Sequence, residues 1–332
     1  MGVETDPRDR VRVVSLGGTI AMTRRSGESG GVTPRLGGAD LVAAVPGLDD
    51  GAEIVAEDFR QVPGACLSVD DIAELAAHLN ATAGAFTGTV ITQGTDTLEE
   101  TAFLLDLLYT GDAPLVLTGA MRNPSMPGAD GPANLLDAVR TAADRAARGL
   151  GALVAFAADV HAARFVRKTH ATSVAAFTSP NAGPVGHIAE GRVRVHVTLP
   201  RTPAVVLPFT RPASVEIIPA SLGNDGALLD HLAGHADGAV IAAFGAGHVP
   251  AGWVDRLQTL AARIPVVFTT RTGAGATLTS TYGFPGSETD LLARGLISGG
   301  GLDPYKARLL LLTHLRTAAD RTTIDDAFAT HR

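Results

Sequence analysis

The chain has 332 residues, enough for two domains with separate cores, and its 45% apolar and 18% charged composition is that of a folded globular protein rather than a disordered one. A formal charge of −7 argues against nucleic acid or an anionic membrane as the main partner. The single cysteine, Cys66, excludes an internal disulfide and a cysteine-based metal cluster, and the ten histidines include no helical pair resembling a zinc site.

The opening from Met1 to Arg10 is of mixed charge and does not lead into the apolar stretch of a secretory leader. No segment reaches the ~20 apolar residues that span a bilayer, so a cytoplasmic protein is expected. Residues 11–16, 89–92, 114–118 and 151–157 read as buried strands. Between them, residues 70–79, 98–108 and 133–147 space their apolar side chains as helices do, with Thr97 and Glu100 predicting a capping box for the middle one. Such alternation predicts an α/β fold with a parallel sheet covered on both faces.

Pro200, Pro203, Pro208 and Pro212 then mark an extended connection. We divide the chain into an N-terminal domain (1–200), a Pro-rich linker (201–213) and a smaller C-terminal α/β domain (214–332). The second domain resumes with strands over 239–244 and 265–270, and closes with a helix that Asp303 caps and Pro304 starts.

Three segments carry chemistry. Ser15-Leu16-Gly17-Gly18-Thr19-Ile20-Ala21 follows a buried strand, where paired glycines let the backbone turn tightly and place a hydroxyl at the strand tip. By itself this is either a simple turn with Thr19 as a cap or a nucleophile, and it is not a phosphate loop. Gln93-Gly94-Thr95-Asp96-Thr97 likewise joins a strand to a helix, whose free N–H groups suit a carboxylate while Asp96 can hold an ammonium group. Plain N-capping by Asp96 or Thr97 is the competing reading. The third is Arg167-Lys168-Thr169. Only Lys168 and Lys306 are lysines, against 25 arginines among the 27 basic residues. A buried lysine can lose its proton and act as a base where arginine cannot, which supports Lys168; chance survival is the competing reading, and Lys306 is a candidate for it.

Together these segments resemble the bacterial asparaginase/glutaminase family, the L-asparaginases. Gly17–Ala21 and Gly94–Ala102 match its two hallmark motifs, with colinear support from Gly119-Ala120-Met121-Arg122, Asp130-Gly131-Pro132-x-Asn134, Lys168-Thr169 and Asp303-Pro304-x-Lys306-Ala307-Arg308. The resemblance implies a larger N-terminal and a smaller C-terminal α/β domain. It implies amidohydrolase action on L-asparagine, with glutaminase-asparaginase activity, an amidotransferase subunit or a non-catalytic amino-acid sensor as alternatives. It implies no metal or organic cofactor, and a homodimer or homotetramer. Thr19 matches the family's nucleophile, and Thr95, Lys168 and Asp96 its second catalytic group. Gly18, Gly64, Ala65, Gly94, Thr95, Asp96, Ala120 and Glu288 stand where the family contacts substrate, Glu288 from a neighbouring subunit. The chain departs from the family in three places. The lid, roughly Met22 to Leu36 with Gly27, Gly30, Gly31 and Val32, has no tyrosine, leaving Tyr282 as a substitute from elsewhere; Ala65 replaces a serine; and Ala246 replaces an asparagine. Cys66 is expected to be a packing residue.

Overall fold

The computed structural model describes residues 10–23, 33–34, 36–48 and 52–331, and the chain divides into two compact units after Ala204. The first unit holds an eight-stranded sheet in the order Arg192–Val195, Gly186–Ala189, Asp159–Ala162, Ala152–Phe156, Leu115–Thr118, Gly88–Thr92, Arg10–Ser15, Glu53–Asp58. The last five strands in that order pair in parallel. The other three extend the sheet by antiparallel pairing, so it is mostly rather than wholly parallel.

The parallel strands are apolar on both faces because both faces are covered. Val11, Val13, Val90, Val116 and Leu153 share one core with Leu135, Ala138 and Ala142 of the helix Gly131–Ala143. The helix Leu98–Leu108 is buried almost all round, as its run of leucines requires. The chain forms Arg10–Ser15, then Glu53–Asp58 on one side of it, then Gly88–Thr92 on the other. Strand order thus reverses at Arg10–Ser15, and in open α/β sheets ligands bind beyond the carboxyl ends of the strands at such a point.

Two helix starts differ from expectation. The capping box belongs not to Thr97 but to Ser68, ahead of the helix Val69–Ala81. Asp71 returns a carboxylate to the Ser68 N–H (3.0 Å), and the Ser68 hydroxyl, then Arg60, hold that carboxyl down at about 2. Thr97 occupies the cap position of Leu98–Leu108 but makes no side-chain capping bond. The helix expected over 133–147 instead runs Gly131–Ala143, begun by Pro132. It stops because Asp144 is extended and its carboxylate accepts from the Ala146 N–H (2.8 Å), opening a separate 3-10 turn, Arg145–Ala147.

In the second unit Val215–Pro219, Gly238–Ala243, Val266–Thr270 and Ile297–Ser298 form a four-stranded parallel sheet. Asp303 caps the helix Pro304–Arg316, accepting from the Tyr305 and Lys306 N–H groups. Lys306 is 1% exposed, with its Nζ 3.5 Å from Asp303. Among the described residues no helix is long and apolar enough to cross a membrane.

His161, bonded through Nδ1 to the Ser179 hydroxyl (3.0 Å), and His314 both sit below the ordinary histidine value because burial disfavours the charged ring; Asp159 opposes this at His161. The unfolded chain takes up protons near pH 6.5 that these folded rings refuse. Their contribution to stability is therefore full above about pH 6.5 and is lost as pH falls below it. Thermal midpoints measured from pH 7.5 to 5 should fall with pH, and His161→Gln should flatten that slope. An unchanged slope would remove His161 from the account.

Candidate active site

The carboxyl ends of these strands meet at glycines. After Arg10–Ser15 the backbone turns through Gly17 and Gly18, at φ of +94° and +86°, a left-handed region that favours glycine. It then enters a 3-10 turn, Thr19–Ala21, that leaves Thr19 half-buried and Ile20 and Ala21 in the core. A Cβ on Gly18 would lie 2.0 Å from the Gly94 nitrogen, so the two backbones touch. The neighbouring strands set this register: Ser15 pairs with Thr92, and the Leu16 N–H donates to the Thr92 carbonyl at 2.9 Å. Thr19 and Thr95 each follow one glycine of the touching pair.

Thr95 is almost buried. Lys168 Nζ donates to its Oγ1 at 2.9 Å and also lies 3.4 Å from Asp96 Oδ1. The lysine side chain is 18% exposed and the aspartate 65%, so the ammonium is sheltered while the carboxylate faces outward. Lys168 comes from a short strand, Arg167–Lys168, paired with Phe177–Thr178, and its own N–H donates to the Glu99 carboxylate on the helix after Thr95. The residues expected to act together, Thr95, Asp96 and Lys168, are thus one hydrogen-bonded group. Glu99 was not singled out in the sequence: an acidic residue in a first helical turn looks like an ordinary dipole partner.

Two more loops close on the same strand ends. The 3-10 turn Gly64–Cys66 abuts Gly94, since a Cβ on Gly94 would lie 2.9 Å from the Gly64 nitrogen. Ala65 and Cys66 of this turn are exposed, so Cys66 is not a packing residue. Beyond Leu115–Thr118, Gly119 lies against the Gln93 carbonyl and Ala120 is buried. Asp130 accepts from the Met121 and Arg122 N–H groups (2.9 and 2.8 Å), and the Asn134 amide donates to Gly119 O at 3.0 Å. Asp130 and Asn134 therefore hold the loop that carries Ala120.

Other expected site residues are placed differently. Gly27, Gly30, Gly31 and Val32 of the lid lie outside the described residues. Tyr282 is in the second unit, edge-on to His248 with ring centres 4.8 Å apart. Ala246 sits in a turn closed by reciprocal bonds between the Phe244 and His248 backbones. Glu288 is not a solvated loop charge. It is fully buried, its Oε1 accepts from the Thr281 and Tyr282 N–H groups (2.8 and 2.7 Å), and its Oε2 meets His248 Nε2 at 3.2 Å. Burial pushes the Glu288 carboxyl up, but the Tyr282 and Thr281 N–H groups and the His248 ring outweigh it and hold the group below its ordinary value.

The chain as a whole is similar to known proteins. The family model described as "Asparaginase, N-terminal" matches residues 10–201, and that of the "Glutaminase/Asparaginase C-terminal domain" matches 214–328. A "Probable L-asparaginase" of Deinococcus radiodurans is 38% identical, covering 96% of this chain and 97% of its own. "L-asparaginase 2" of Escherichia coli is 35% identical, covering 96% and 92%. The crystal structure of a "Probable Cytoplasmic L-asparaginase" from Campylobacter jejuni superposes with a TM-score of 0.86 at 32% identity, covering 97% of this chain and 99% of that one.

Proposed function

The chain belongs to the asparaginase family, and from that premise we propose that it hydrolyses L-asparagine to L-aspartate and ammonia through an acyl-enzyme on Thr19. The observation that carries this reading is the contact of Gly18 with Gly94. It brings the turn that carries Thr19 against the loop that carries Thr95 and Asp96, to which Lys168 is bonded.

In this reading Asp96 holds the substrate ammonium, the Gly64 and Ala65 backbone receives the α-carboxylate, and the Ala120 main chain meets the side-chain amide. Thr19 Oγ1 attacks the amide carbon once its proton is removed. The C–N bond breaks as the nitrogen takes up a proton and leaves as ammonia, giving an aspartyl ester. Water then attacks the ester carbon, giving up one proton, and Thr19 regains its own as aspartate departs. Backbone N–H groups and the Thr95 hydroxyl stabilise the oxyanion, worth ~3–4 kcal/mol per donor in comparable sites. No tyrosine occurs from Met22 to Leu36, so the proton steps fall to the Thr95–Lys168 couple. Glu288 is assigned to holding the Thr281–Tyr282 turn rather than to substrate.

Ammonia release from asparagine and from glutamine tests the reading. The expected result is higher kcat/KM for asparagine; equal values identify a relaxed glutaminase-asparaginase, the description that the C-terminal family model also carries. Tight aspartate binding without ammonia release would sink hydrolysis and leave an amino-acid-binding protein. A homodimer or homotetramer and a cytoplasmic location belong to the same proposal, supported by the sequence resemblance and, for location, by the name of the Campylobacter structure. Light scattering and fractionation of the native host test them.

A further inference from the structure

Thr97 stands where a helix is capped, and threonine is a good capping residue, yet its hydroxyl does not cap. It donates instead to the Gly64 carbonyl, 33 residues away in sequence, at 2.9 Å. The helix start does without it: the Thr101 N–H donates to the Thr97 carbonyl at 2.8 Å, and Glu99 and Glu100 lie in the first turn.

The direction of this bond is fixed by a second one. Gln93 Nε2 donates to Thr97 Oγ1 at 3.0 Å, and the Gln93 side chain is fully buried. A hydroxyl has one proton. With an N–H directed at its oxygen, Thr97 presents that proton to Gly64. In this arrangement the relay runs Gln93 to Thr97 to Gly64. The Gly64 carbonyl also accepts from the Leu67 N–H at 3.2 Å, and the Gly64 and Gly94 backbones lie in contact. The relay thus pins the 3-10 turn Gly64–Cys66 to the loop that carries Thr95 and Asp96.

We propose that Gln93 and Thr97 are positioning residues. They form a clasp that sets the Gly64–Ala65 backbone at the spacing from Asp96 needed to grip the α-carboxylate and α-ammonium of one amino acid together. This rests on the reading of those groups given under Proposed function. The clasp touches neither Thr19 nor Lys168 in the hydrogen-bond network described. It acts on binding shared by ground state and transition state, which appears in KM and leaves kcat.

The test compares wild type, Thr97→Val, Thr97→Ser and Gln93→Met by steady-state ammonia release from asparagine and by calorimetric titration with aspartate. Thr97→Val keeps the shape and removes the proton. The expected result is a KM and an aspartate Kd raised about tenfold, the scale of one lost hydrogen bond, with kcat within about twofold. Thr97→Ser should stay near wild type. Gln93→Met should raise both constants in the same direction, and it decides the matter if Thr97→Val does not fold. Wild-type KM and Kd in both Thr97→Val and Gln93→Met overturn the clasp, as does a Thr97→Ser variant as impaired as Thr97→Val. A wild-type chain that binds aspartate but releases no ammonia overturns the proposed hydrolysis and leaves the clasp to be decided by Kd. One that binds no aspartate overturns both.

Discussion

Thr19→Ala should lower kcat for asparagine hydrolysis by about 10⁴-fold or more, the scale on which hydrolases lose activity when their nucleophile is removed. The size follows from the role proposed for Thr19: without its Oγ1 no ester forms, and the remaining groups can only bind and polarise the amide. The turn is built by Gly17 and Gly18, and Ile20 and Ala21 anchor its far end in the core. Thr19 is itself half-buried, so deleting its side chain should leave the fold and the aspartate Kd nearly unchanged. Thr19→Ser keeps the hydroxyl and should retain activity within about a hundredfold, the β-methyl being lost along with its restriction of χ1. Initial rates and an aspartate titration on the three proteins check this. Thr19→Ala turning over at the wild-type rate would sink the acyl-enzyme mechanism, whatever the variant's affinity.

Why Thr19 was visible in the sequence, and Thr97 was not, is a matter of contact range. A strand that ends in two glycines and a hydroxyl announces a strand tip within seven residues, and buried strands announce themselves by unbroken apolar runs. Four of the five parallel strands and the helix Leu98–Leu108 were legible for that reason; the fifth strand, Glu53–Asp58, is a partly exposed edge strand without such a run. Short strands such as Arg192–Val195, with alternating arginine and valine on a sheet edge, carry too little pattern to show that they continue the sheet. The Thr97 hydroxyl chose between a local cap bond and the Gly64 carbonyl, and only the fold brings the second within reach. Glu288 and Lys306 taught the same lesson in charge. Neither residue type signals burial in the sequence, yet each is buried, because Thr281, Tyr282 and His248 enclose the first and Asp303 accompanies the second. A buried charge needs such partners.

Lys168→Met and Lys168→Arg should both lower kcat by about 10²- to 10⁴-fold, the range for removal of a positioned proton-transfer group. The pair matters more than either member. Lys168 Nζ sits 2.9 Å from Thr95 Oγ1 and 3.4 Å from Asp96 Oδ1, so it has two conceivable duties. As a fixed cation it would orient Asp96 and hold charge beside the oxyanion. As a base it would take a proton from Thr95 and return it within each cycle. Arginine performs the first duty, being always charged, and fails the second, because its guanidinium does not give up its proton at working pH. Methionine fails both. If proton transfer is the duty, the arginine variant should be no more than about tenfold better than methionine, and raising the pH to 9 should not rescue it. Arginine restoring activity to within a few-fold of wild type would show that charge alone is required. The proton removed from Thr19 would then have to go to a group other than the Thr95–Lys168 couple. A lysine here, in a chain with 25 arginines, is consistent with proton transfer, and the arginine variant decides whether that is its duty.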